Sequence, residues 1–150
     1  MVAVDGISPI SLLAPAGNYY VAVKHRNHLG CMTANAVSLN TTTTAIDFAN
    51  LATTTYGTQA QKTIGAINTL WSGNVVRDGN LKYVGASNDR DPILVRIGST
   101  VPTNVVNGYY PEDCNLDGSV KYVGAENDRD PVLINVGGIV PTSVRVEQLP

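Results

Sequence analysis

Charge is scarce in these 150 residues: Asp, Glu, Lys and Arg together make up 15% and sum to a formal −2. Without a basic stripe to neutralise phosphates, nucleic acid is not expected as a partner. No run of about 18 apolar residues occurs, so no segment reads as a membrane-spanning helix. The stretch Met1-Val2-Ala3-Val4-Asp5 has no charged segment leading into an apolar one, so it does not read as a signal peptide. The expectation is a fragment of a longer secreted chain rather than a cytoplasmic protein. Cysteine is limited to Cys31 and Cys114, which could pair in an extracellular protein but read first as two unpaired small hydrophobes, since sequence does not fix their separation. The two histidines, His25 and His28, lack an accompanying cysteine or carboxylate cluster, and alternation along a strand would not converge them. A structural role is therefore expected rather than zinc ligation. There is no GxSxG elbow or comparable nucleophile frame, and the chain is expected not to be an enzyme.

What the sequence has in quantity is Thr, Asn, Val and Gly, with 43% hydrophobic residues overall. That balance favours strands and loops over long helices. The segment Asn18 to Arg26 follows the turn residues Pro15-Ala16-Gly17 and reads as a strand. Shorter strand candidates are Val2 to Val4, Ile10 to Leu13, Ala36 to Leu39 and Thr44 to Phe48. Residues 1–50 are thus expected to be an incomplete antiparallel β-sandwich segment. Residues 51–70 are Thr-rich and read as a linker, with a short helix or strand leading into Trp71, a packing anchor at the junction.

Residues 71–150 carry an internal repeat. Lys82 to Gly98 reads KYVGASNDRDPILVRIG and Lys121 to Gly137 reads KYVGAENDRDPVLINVG, with 12 of 17 positions identical at an offset of 39. The repeats span 71–109 and 110–148. In each, Asn88 or Asp89, and Asn127 or Asp128, is placed to cap a short helix that carries Pro92 or Pro131 in its first turn. Ile93-Leu94-Ile97 and Val132-Leu133-Val136 form the apolar stripe, and Gly98 and Gly137 end the helices.

The chemistry lies just upstream of the second copy. An EF-hand loop takes side-chain oxygens from positions 1, 3 and 5, a glycine at 6, a carbonyl at 7 and a carboxylate at 12. Asp113, Asn115, Asp117, Gly118 and Ser119 fill positions 1, 3, 5, 6 and 7, so Ca2+ is the expected cofactor. Val120, at position 8, is expected to face the partner loop. Position 12 is Gly124, and a lengthened loop would bring back a later carboxylate, Asp130 first and Asp128 second. In the first loop Asn74, Asp78 and Asn80 stand at positions 1, 5 and 7, with Asp89 and Asp91 further on. Val76 and Arg77 weaken that set.

Paired DxNxDG loop-plus-helix units resemble a dockerin, the F-hand variant of the EF-hand. The NDRDPIL…GG…PT pattern and Glu147-Gln148-Leu149-Pro150 resemble more closely the C-terminal region of large secreted proteins of the Bacteroidetes. In those proteins a segment similar to Gly17 to Gly30 belongs to a preceding immunoglobulin-like sandwich. The resemblance implies a mainly β chain with a little α, a partial antiparallel β-sandwich followed by a dockerin-like pair of calcium-loop and short-helix repeats. It further implies an extracellular or cell-surface location, no catalysis, and a structural or adhesive role. The resemblance does not identify a binding partner; a cohesin-like receptor or another surface domain is the candidate carried forward. The ancillary end of a carbohydrate-active enzyme is the alternative, and a carbohydrate ligand has no residue pattern here to support it.

Overall fold

A computed structural model describes residue 5 and residues 7–150 of the chain. The expected strand at Val2 to Val4 lies outside the described residues. The secondary structure is mainly short antiparallel strands with two short helices. In the first half, β1 (Gly17–Tyr19) pairs with β4 (Val37–Leu39), and β2 (Ala22–Val23) with β3 (Cys31–Met32). A hairpin follows, β5 (Lys62–Ile64) with β6 (Ile67–Thr69), inside the stretch expected to be a linker. The second half contains β7 (Asn80–Lys82), α1 (Arg90–Arg96), β8 (Val105–Asn107), β9 (Ser119–Lys121), α2 (Arg129–Val136) and β10 (Val144–Val146).

Among the described residues no sheet exceeds two strands. Two expected strands are absent, and each absence has a physical cause. Ile10, Leu12 and Leu13 are exposed and have no surface to pack against. Thr44 to Phe48 is bracketed by side-chain turns: Asn40 accepts from Thr42 N before it, and Asp47 from Ala49 N and Asn50 from Ala52 N at its end. Such Asx turns compete with strand pairing.

The core is built from the repeat. Val75 and Cys114, Leu81 and Val120, Ile93 and Val132, and Ile97 and Val136 are four pairs at the offset of 39, and all eight are buried in one cluster. The ninth member is Leu29, from the first half of the chain. Cys114 therefore stands where the other repeat has valine. Both cysteines are buried free thiols, as expected of small hydrophobes, and burial pushes Cys31 up to about 11.

The two repeats exchange their tails. β8, the tail of the first, pairs with β9 of the second, and β10, the tail of the second, returns to β7 of the first. Helix α1 packs on β9 and α2 on β7. Val120 lies opposite Val106 in the ladder, and its side chain is buried in the same cluster as Leu81 of the other loop strand. Each tail supplies a Val-rich strand to the open edge of the neighbouring loop strand.

Each helix is capped at both ends. Asn88 Oδ1 accepts from Asp91 N at 2.9 Å and Asn88 Nδ2 donates to Asp91 Oδ2 at 2.8 Å, a reciprocal arrangement repeated by Asn127 and Asp130. The asparagines, not Asp89 or Asp128, are the capping side chains. At the other end Ser99 N reaches Leu94 O and Gly98 N reaches Val95 O. Gly138 and Gly137 do the same with Leu133 and Ile134. These are Schellman closures, which need the positive φ found at Gly98 (104°) and Gly137 (130°).

The first half docks through backbone and polar contacts. Leu29 N donates to Trp71 O, and Trp71 packs against the core under the Arg145 guanidinium, 3.5 Å from its ring centre. Tyr110, at the matching position of the second repeat, lies under Arg96 at 4.5 Å. The Glu147 carboxylate accepts from Gly30 N (2.7 Å) and from Lys24 Nζ (3.1 Å), and Gln148 accepts from Thr58 N and Gln59 N.

Candidate metal centre

The second loop is an oxygen-rich turn held by its own amides. Asp113, 2% exposed, accepts from Asp117 N at 3.2 Å and from Gly118 N at 3.1 Å. Asn115 Oδ1 also accepts from Asp117 N, and Asp117 Oδ1 accepts from Ser119 N at 2.8 Å. These bonds fold Asp113, Asn115 and Asp117 around one turn, with Asn115 Nδ2 only 3.3 Å from Asp117 Oδ2. The turn requires left-handed backbone at Leu116 (φ 67°) and Gly118 (φ 83°), and the first loop repeats it at Arg77 (62°) and Gly79 (78°). Hard oxygens in this arrangement are what a calcium ion takes.

Two cations already neighbour the loop. The Arg26 guanidinium lies 3.3 Å from Asp113 Oδ2 and donates to Tyr110 O, while Lys121 Nζ is 3.5 Å from Asp117. Ser119 sits in β9, with its backbone in the ladder to Asn107.

The later carboxylates are placed differently from the sequence ranking. Asp130 faces Asn127 and Arg129 at the helix start and does not reach the loop. Asp91 does the same with Asn88 and Arg90. Asp128 is the one that returns. Fully buried, it accepts from Cys114 N and Asn115 N with one oxygen and from Lys121 N with the other. Asp89 mirrors it, accepting from Val76 N and Lys82 N. Both carboxylates thus bind backbone amides of their loops. Burial pushes each up to about 6, against the opposing pull of the amide bonds.

In the first loop Asp78 accepts from Asn80 N, and Asn80 Nδ2 donates to Asp78 O. Asn74 is 4% exposed, and its Oδ1 has no hydrogen-bond partner. An unsatisfied buried acceptor at position 1 is a group that a cation would complete. Among the described residues no three His, Cys, Asp or Glu side chains converge as a ready metal cage.

Sequence reasoning passed over Arg26, Asn27 and Glu112. Asn27 is fully buried, donates to Pro111 O and Asp113 O, and through its own carbonyl accepts from Gly73 N and Asn74 N. It therefore touches the start of both loops. Glu112 grips Arg96 through two bonds of 3.1 Å. No periodicity marks such residues, because their partners are carbonyls and charges far along the chain.

No protein-family model, curated protein or solved structure matches the chain.

Proposed function

We propose that this chain is a calcium-stabilised, non-catalytic structural or adhesion module at the C-terminal end of a large secreted or cell-surface protein. The observation that carries the reading is the second loop, where Asp113, Asn115 and Asp117 gather around a turn fixed by Asp117, Gly118 and Ser119 amides. On this reading calcium offsets the repulsion among those oxygens and ties the loop to the helix behind it, supplying folding energy that a small core lacks. The paired ribbons β1–β4 and β2–β3 are read as the remaining part of an immunoglobulin-like sandwich, and the tandem repeat as dockerin-like.

The test is thermal melting with calcium and with a chelator. At a calcium concentration a hundredfold above Kd, linkage contributes about 2.7 kcal/mol, which for a chain of this size is roughly 8–10 °C in Tm. Asp117→Ala should remove more of that gain than Asp78→Ala. An identical Tm in both conditions would sink the calcium reading.

A second reading is favoured by one observation. Val95 on α1 and Ile134 on α2 are equivalent positions in the repeat, and they are 65% and 59% exposed. Two matched apolar side chains on the paired helices suit a dockerin that seats on a cohesin-like receptor. The double variant Val95→Asp with Ile134→Asp should then lose capture of such a receptor while its Tm stays within about 2 °C. Capture that survives the double variant, or no capture by the wild type, removes this reading.

A further inference from the structure

Two imidazoles and a carboxamide meet at a point outside the calcium loops. His28 N donates to His25 O, closing a turn that swings both side chains to one side. The turn overrides strand alternation, which on its own keeps these histidines apart. His25 Nδ1 and His28 Nδ1 are 2.9 Å apart, and Asn27 Oδ1 is 3.2 Å from the first and 2.8 Å from the second. The rings meet edge to face, with centroids 4.7 Å apart.

Hydrogen bonding cannot satisfy this triangle. The amide cannot be turned round, because Asn27 Nδ2 is committed to Pro111 O and Asp113 O. Its oxygen, which only accepts, therefore faces the histidines. One proton on the two Nδ1 atoms leaves a lone pair opposed to Asn27 Oδ1. Two protons oppose each other across 2.9 Å. Either way one contact of the three is repulsive. A cation in the centre turns all three lone pairs into ligands.

We propose that His25 Nδ1, His28 Nδ1 and Asn27 Oδ1 form a binding site for a borderline divalent transition-metal ion of the zinc class. A metal at about 2.05 Å from each atom subtends angles of roughly 85–105° at these separations. That is one face of a five- or six-coordinate ion, with water filling the open positions, an arrangement that zinc, nickel(II) and copper(II) accept. Both histidines are partly exposed, so an ion can enter, while Asn27 is buried and rigid. The nearby Arg26 charge is met by Asp113. Calcium is a poor fit here, since two of the three ligands are nitrogens.

The experiment uses the full chain in excess calcium, so that the oxygen-rich loops are filled, and titrates ZnCl2. Isothermal calorimetry and long-range 1H–15N spectra of the imidazoles are read together. The expected result is one zinc per chain, displacement of both Nδ1 resonances, and binding at least tenfold weaker in His25→Gln and in His28→Gln. Imidazole resonances unmoved by one equivalent of zinc in the wild type overturn the proposal, and that measurement holds even if a variant fails to fold. Zinc bound equally well by either folded variant overturns it too.

Discussion

Replacing Asp128 with alanine is expected to cost roughly 3–5 kcal/mol of folding stability. Its carboxylate is fully buried and accepts from Cys114 N, Asn115 N and Lys121 N, so the substitution strands three amides beneath the loop. Each unsatisfied buried donor costs about 1–3 kcal/mol. Asp89→Ala should cost less, by about 1 kcal/mol, because Asp89 has side-chain bonds to two amides, of Val76 and Lys82. Urea denaturation of the two variants beside wild type decides the order. A loss below about 1 kcal/mol for Asp128→Ala would show that the amides find other partners.

The same carboxylates make a pH prediction. Their native value of about 6 stands above the ordinary 3.8, so between those values the folded state keeps a proton that the unfolded state releases. The stabilisation is complete below pH 3.8, declines as pH rises, and is lost once pH passes about 6. Chelated protein should therefore lose stability from this source between about pH 4 and pH 6, the span of the two values. Asp128→Asn should retain only the part that Asp89 contributes. A variant curve that parallels wild type across that range would contradict the assignment.

Asn27→Ala is the second large effect, expected at roughly 2–4 kcal/mol. Among the described residues the side chain is the one group donating to both Pro111 O and Asp113 O, so alanine orphans one buried and one part-buried carbonyl and opens a void beside the second loop. The backbone bonds from Gly73 N and Asn74 N to Asn27 O survive the change, so the first loop should be less affected than the second. Asn27→Asp should be at least as costly, because it turns a carboxylate oxygen toward those carbonyls. Hydrogen exchange resolves the claim: amides of Cys114 and Asn115 should exchange faster in the variant, with Val75 and Val76 changing less. Uniform acceleration throughout would point to global loosening instead.

The repeat was legible because duplication writes itself twice. The capped helices, the glycine closures and the core face could all be placed from KYVGA, NDRDP and the following glycine. The mainly antiparallel strand content was likewise within reach of composition and turn signals, whereas the hairpin of Lys62–Ile64 with Ile67–Thr69 lies in a stretch read as a linker. The later carboxylates are placed differently from the spacing-based order for a specific reason. Sequence spacing puts Asp130 at the helix start, but Asn127 binds it there, leaving Asp128 to point inward toward the loop amides. The tail exchange was illegible because Val105 to Asn107 and Val144 to Val146 are short and half-exposed, with no turn linking them to their partners. Nor could periodicity reveal the Arg26 to Leu29 segment, whose importance lies in which distant carbonyls it meets. The meeting of His25 and His28 was not legible for a related reason: a turn, not an extended strand, brings the two rings together.

The crossed tails also impose an order in time. The second loop strand finds its partner in Val105 to Asn107, made shortly before it, whereas the first must wait for Val144 to Val146, roughly 60 residues downstream. During synthesis Leu81 and its neighbours are therefore left with an open edge until the last of these residues leaves the ribosome. Two nearly identical halves are thereby finished at different moments, and the half made first is completed last.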